Sequence, residues 1–95
     1  MISVGLLILK IQLPGSTSLK EKRSRLKPLL ARLRREFDVS TAEIDRLDAW
    51  QYADIGCALL SNDPNHTRRA LQQVARWVDE NWPDVTLMDE KIEIR

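Results

Sequence analysis

The 95-residue sequence predicts an α+β domain whose elements run strand, helix, strand, strand, helix, strand. Three observations predict it. The chain opens on a Leu- and Ile-rich run that stops at Pro14-Gly15. Two later segments repeat their apolar residues at the 3.6-residue period, each behind a capping signal, Ser18 with Glu21 and Asp63 with Pro64. The remaining stretches alternate with a period of two, and the link between the second and third strands is too short for a crossover.

The first strand is read over Ile2 to Leu13. Leu7, Leu9, Ile11 and Leu13 fall on one face; Leu6, Ile8, Lys10 and Gln12 fall on the other. The first half is apolar on both sides, as a central strand is. After the Pro14–Thr17 loop, Ser18 is an N-cap and Glu21 completes a capping box. In the first helix Leu19, Leu26, Leu29, Leu30, Leu33 and Phe37 make a stripe about 100° wide that must bury against a sheet. Pro28 interrupts this helix, removing one backbone donor and crowding the carbonyl of Ser24. The expectation is a kinked, continuous helix; the alternative is a helix that starts near Pro28.

Asp38 closes the helix, and Val39 to Asp45 reads as an edge strand with Ala42 and Ile44 on one side and Val39, Thr41, Glu43 and Asp45 on the other. A short turn leads into a third strand from about Trp50 to Leu60. Its faces are Ala53, Ile55, Cys57 and Leu59 against Asp54, Gly56, Ala58 and Leu60, and the small residues Gly56 and Ala58 leave room for a close neighbour. The second helix starts at Asp63-Pro64, buries Ala70, Leu71, Val74, Trp77 and Val78, and ends before Trp82-Pro83. In the last strand, Asp84 to Arg95, Val85 and Leu87 and then Ile92 and Ile94 keep different parity, which calls for a bulge near Asp89.

Two right-handed crossovers and one hairpin give a single ferredoxin-like βαββαβ sandwich over residues 1–95. Its four-stranded antiparallel sheet has the order 4-1-3-2, with both helices on one face. The other face is left open, with Leu6, Ile8, Ala58 and Leu60 on it. An apolar face of that kind suits a homodimer packed sheet to sheet.

Composition narrows the function classes. The single cysteine, Cys57, excludes an internal disulfide and fits a buried thiol in a reducing cytoplasm. The apolar N-terminus lacks a basic n-region and a cleavage site, and it is too short to span a bilayer, so neither export nor a membrane is expected. His66 is the only histidine, and no Cys or His stands at metal-ligand spacing from it, so no metal or cofactor is expected. Linkers, low-complexity tracts and repeats are absent.

The first helix carries the charge. From Lys20 to Arg35 there are eight Lys or Arg against one Glu, on a chain whose net charge is only +1. Such segregation suits phosphate binding; the bland alternative is a solvated helix face. Lys20, Arg25, Lys27, Arg32 and Arg35 lie away from the apolar stripe. Lys22 and Arg23 fall at its margins, with heads expected beside the Pro14–Ser18 loop, where the helix N-terminus adds free amides. The nucleic-acid candidates are therefore Lys20, Lys22, Arg23, Arg25 and Lys27. Trp50-Gln51, preceded by Asp45 and Asp48, is a candidate partner contact; the alternative is a Trp that covers the open end of the core. Trp77 and Trp82 are read as core and helix-end packing. The sheet has only Trp50 and Tyr52 to offer bases, without the aromatic signature of an RNA-recognition domain, so recognition through the helix and its loop is expected instead.

These motifs also carry a resemblance. Ser18-Leu19-Lys20-Glu21-Lys22-Arg23, Ala42-Glu43-Ile44-Asp45, Trp50-Gln51, Gly56 and Ser61-Asn62-Asp63 resemble the YlxP-like family of small bacterial proteins of unknown function, over nearly the whole chain. The resemblance implies the ferredoxin-like fold and, because its members are encoded among genes for translation and ribosome maturation, a role near RNA or the ribosome. Pro28 departs from the family pattern, where a helix-forming or polar residue is usual. Acylphosphatases share this fold and use an Arg in the loop after the first strand with an Asn on the third. Here that loop has no Arg, and Asn62 lies past its strand, so no enzymatic activity is expected. The expectation is a cytoplasmic, non-enzymatic accessory protein that binds RNA or a ribosomal particle through the first helix. The alternative is a protein-interaction module that dimerises through the open sheet.

Overall fold

The structure is a computed structural model that describes residues 1–95. The elements are β1 (Ser3–Gln12), α1 (Leu19–Phe37), β2 (Ser40–Asp45), β3 (Tyr52–Ser61), α2 (Pro64–Asn81) and β4 (Thr86–Ile94). All strand pairs are antiparallel and the sheet order is β2-β3-β1-β4, the expected order read from the other edge. Both helices lie on one face.

Between helices and sheet sits the core. β1 supplies Leu7, Leu9 and Ile11, and Leu13 follows from the loop; β3 supplies Ala53, Ile55 and Cys57. Leu26, Leu29 and Leu33 come from α1, and Leu71, Val74, Ala75 and Val78 from α2. Gly5 lets α2 approach β1: a Cβ there would collide with Thr67 Cγ2 and stand 2.7 Å from Leu71 Cδ1.

α1 runs unbroken through Pro28. Its cap is a variant of the expected box. Ser18 Oγ accepts from the Glu21 amide at 3.0 Å, and the Glu21 carboxylate accepts from the Thr17 amide at 2.6 Å. Asp38 ends the helix in the left-handed region, φ 53°, with its amide on the Arg34 carbonyl.

Two bulges set which side chains reach the open face. Lys10 pairs with Asp89 and Ile11 with Leu87, so Met88 is the extra residue, beside the position the apolar parity indicated. The second was not expected. Glu43 pairs with Ile55 and Asp45 with Asp54, so Ile44 is extra. Asp45 is thereby moved from the Glu43 side of β2 to the open face. Ile44 lies over Gly56, where a Cβ would come within 3.0 Å of its Cγ2.

The open face is divided. Val4, Leu6, Ile8, Ala58 and Leu60 make an apolar region at the end where β1 begins. β4 places Asp89, Lys91 and Glu93 opposite Lys10, Ile8 and Leu6. Asp89 and Lys91, with Glu90, Asp45, Asp54 and Lys10, line a recess of about 400 Å³ near the β2–β3 hairpin.

Candidate nucleic-acid interface

The eight cations of α1 separate into two sets, and the separation corrects two of the candidates. Lys22 is inside the protein, 1% exposed, although it was expected at the surface. It stands one turn before Leu26, on the stripe that continues through Leu29 and Leu33, so the helix turns it toward the sheet. Its Nζ lies 2.6 Å from Glu43 Oε2 and donates to the carbonyls of Arg46 at 3.0 Å and Tyr52 at 3.1 Å. The carboxylate contact balances the charge and the two carbonyls take the hydrogen bonds. Arg46 is in the left-handed region, φ 58°, and its carbonyl also receives the Ala49 amide. A buried lysine with one counter-charge and two carbonyl acceptors is a bolt between α1 and the hairpin, closed to phosphate.

Arg25 is the second correction. It is half-buried rather than solvated. Its guanidinium spans Asp84, with Nε 2.9 Å from Oδ2, and donates to the Pro14 carbonyl at 2.9 Å. This ties the start of the β4 segment to the β1–α1 loop. Arg32, the third ion-paired cation, lies 3.0 Å from Glu36 and over the Trp77 ring. Trp77 in turn packs edge-on against Phe37 and beside Trp82, as its reading as packing requires.

The other five, Lys20, Arg23, Lys27, Arg34 and Arg35, are exposed and have no carboxylate within salt-bridge distance. Of the five, Arg34 alone makes a side-chain hydrogen bond, to the neutral Thr41 carbonyl at 3.0 Å. At 100° per residue the five fall within an arc of about 120°, opposite the buried stripe. They form a ridge roughly 22 Å long. Arg23 and Lys27 also rim a shallow groove of about 350 Å³ toward the β2 edge. The structure thus retains Lys20, Arg23 and Lys27 at the surface, removes Lys22 and Arg25, and adds Arg34 and Arg35. The expected free amides at the helix start are also fewer, because Glu21 brings a carboxylate onto Thr17.

The hairpin joins this helix at its first turn. Gln51 is a fastener: its carbonyl accepts from Leu13 and its side-chain amide donates to the Ser16 carbonyl at 3.2 Å. Trp50, beside it, is 55% exposed and so does not close the core. At the opposite end of the sheet, Ser3, Ser61 and Thr67 share hydroxyl hydrogen bonds of 2.6 and 3.1 Å, which knit β1, β3 and α2.

Little in the fold supplies a reaction. The acylphosphatase pattern is not assembled: the only guanidinium on the β1–α1 loop is Arg25, held by Asp84. Asn62 follows β3 at the far end of the sheet, about 30 Å from that loop. Cys57 is buried between helices and sheet, and loss of hydration pushes its thiol up to about 12. His66 is exposed in the first turn of α2. No three His, Cys, Asp or Glu residues are grouped to hold a metal ion. No helix is long and apolar enough to cross a membrane.

The fold is shared by a designed protein. The de novo designed protein Foldit4 aligns with a TM-score of 0.57 and 11% identity, over 100% of this chain and 97% of its own. Sequence comparison is more specific. Residues 4–92 match the family described as "Protein of unknown function (DUF503)". The uncharacterized protein YlxP of Bacillus subtilis (strain 168) is 40% identical over 68 residues, covering 72% of this chain and 73% of that protein. The chain belongs to this YlxP-like family. Three of the motifs that carry the resemblance meet at the corner just described, where Lys22 meets Glu43 and Gln51 meets the loop before Ser18, while Ser61-Asn62-Asp63 lies at the other end of the sheet.

Proposed function

We propose that this protein is a non-enzymatic, cytoplasmic accessory factor of RNA metabolism, binding the phosphates of structured RNA or a ribonucleoprotein particle through the ridge of α1. One observation carries the reading. Every ion-paired cation of α1 lies off the ridge, and the five cations on it have no carboxylate partner. A solvated face kept only for solubility carries interspersed acids; this one has none along its length. Phosphates approaching it displace counterions rather than carboxylates of the protein.

The test is charge reversal at Lys20, Arg23 and Lys27 together, all exposed and removable without disturbing the fold. Filter binding to a structured RNA should lose at least about a hundredfold in affinity at low salt. Binding within a few-fold of wild type would overturn the reading.

A second reading rests on a different surface. Leu60 is 70% exposed on the open sheet face, next to Val4, Leu6 and Ala58. Four strands about 4.8 Å apart and six to ten residues long present roughly 550 Å² to one partner, just below the usual size of a specific homodimer interface. A second copy packed sheet to sheet would be a weak dimer. Light scattering at micromolar concentration should give twice the 11.0 kDa chain mass, falling to the monomer in Leu60→Asp. A clean monomer in the parent protein refutes it.

A further inference from the structure

The aromatic residues show which one is free. The chain has five: Phe37, Trp50, Tyr52, Trp77 and Trp82. Phe37, Trp77 and Trp82 pack on one another, and Arg32 caps Trp77 at 5.4 Å. Arg46 lies 5.5 Å from the Tyr52 ring. Trp50 alone has neither ring nor cation against it, and it is half in solvent. A large apolar ring left so is costly in water and is usual where it meets a partner.

Its placement says which partner. Its neighbour Gln51 is bonded by both backbone and side chain to the β1–α1 loop. Lys22 ties the α1 turn that carries Lys20 and Arg23 to the carbonyls of Arg46 and Tyr52, on either side of Trp50. The hairpin that carries Trp50 is therefore fixed against the first turn of α1, the turn that also carries Lys20 and Arg23. A ring beside a cationic track is the arrangement that accepts a base while its backbone lies on the cations.

We infer that Trp50 is a stacking platform for an unpaired base, and that the RNA recognised has a looped-out or single-stranded nucleotide next to a structured stem gripped by the α1 ridge. This rests on the RNA reading above and adds to it the class of RNA. Duplex alone offers the ridge its phosphates but gives Trp50 nothing to stack on, because its bases are already stacked.

The experiment compares two probes, an RNA stem-loop and the blunt duplex of the same stem, by fluorescence anisotropy. Trp50→Ala should weaken stem-loop binding at least about fivefold, from the lower end of one stacked base. It should leave duplex binding within twofold and the salt dependence of both unchanged. Trp50→Phe should recover most of the loss, and an unaltered circular-dichroism melt will show that the exposed ring is not needed to fold. If Trp50→Ala changes both probes equally or neither, the stacking role is wrong even if reversal of Lys20, Arg23 and Lys27 abolishes binding. If the parent protein binds neither probe, both readings fall.

Discussion

Replacing Lys22 by Met keeps the aliphatic stem in the core and removes the ammonium. Glu43, whose side chain is only 16% exposed, then loses its counter-charge, and the carbonyls of Arg46 and Tyr52 lose their donor. Breaking a fully buried pair costs on the order of 3–5 kcal/mol. Glu43 retains some water, so the lower end applies, about 3 kcal/mol. A domain of this size unfolds with an entropy near 0.2 kcal/mol/K, so the midpoint should fall by about 15 °C. Lys22→Met with Glu43→Leu should recover part of this, because no charge is then left buried alone. The residue of the loss belongs to the two unsatisfied carbonyls. Thermal melts of the parent, both single variants and the double complete the cycle. At a temperature where all are folded, RNA affinity should be unchanged by Lys22→Met. A midpoint within 2 °C of the parent, or a large loss of RNA affinity at unchanged stability, would refute the assignment of Lys22 as a bolt.

Other expectations follow from the same geometry. Gly5→Ala drives a Cβ into Thr67 and Leu71, so it should cost about 1–3 kcal/mol in a urea titration, and an unchanged midpoint would show that α2 can move away freely. Burial favours the neutral thiol of Cys57 in the folded protein, so the unfolded chain releases this proton first. The difference in stability between the parent and Cys57→Ala should therefore be constant below pH 9.0 and shrink as pH rises toward about 12. In the same protein, an aromatic disulfide reagent should react with Cys57 only as fast as the protein unfolds; immediate reaction in the native state would contradict its burial. Asp84→Ala frees Arg25 and should loosen the β1–α1 loop, seen as faster amide exchange at Ser16 with little change in melting.

The fold was legible because its apolar residues keep strict periods. The alternation of Leu7, Leu9 and Ile11 and the stripe of Leu26, Leu29 and Leu33 are one-sided enough to fix strand, helix and facing. Displaced parity of Ile92 and Ile94 in β4 exposed the bulge at Met88. The bulge at Ile44 left no such mark, because β2 has few apolar residues to displace. Lys22 falls inside the buried stripe of α1, between Leu29 and Leu33 on the helical wheel, rather than at its margin. The signal was present in two halves: Lys22 is on the buried stripe of its helix, and Glu43 shares a side of β2 with the core residues Val39 and Thr41. Two opposite charges facing one interior from different elements point to a buried pair. Arg25 and Asp84 gave no such signal, since 59 residues separate them and neither is on an apolar face. For the ridge, sequence showed the charge but not which cations were already paired. That distinction depends on tertiary contacts.

The ridge is tested most directly by the salt dependence of RNA binding. Five phosphate contacts give a slope of log affinity against log salt of about −3.5 to −4.5, hence a loss of roughly 100- to 500-fold between 50 and 200 mM. Reversal of Lys20, Arg23 and Lys27 should leave a slope no steeper than about −2. A parent slope near zero, or one the triple reversal does not change, would contradict phosphate binding by α1.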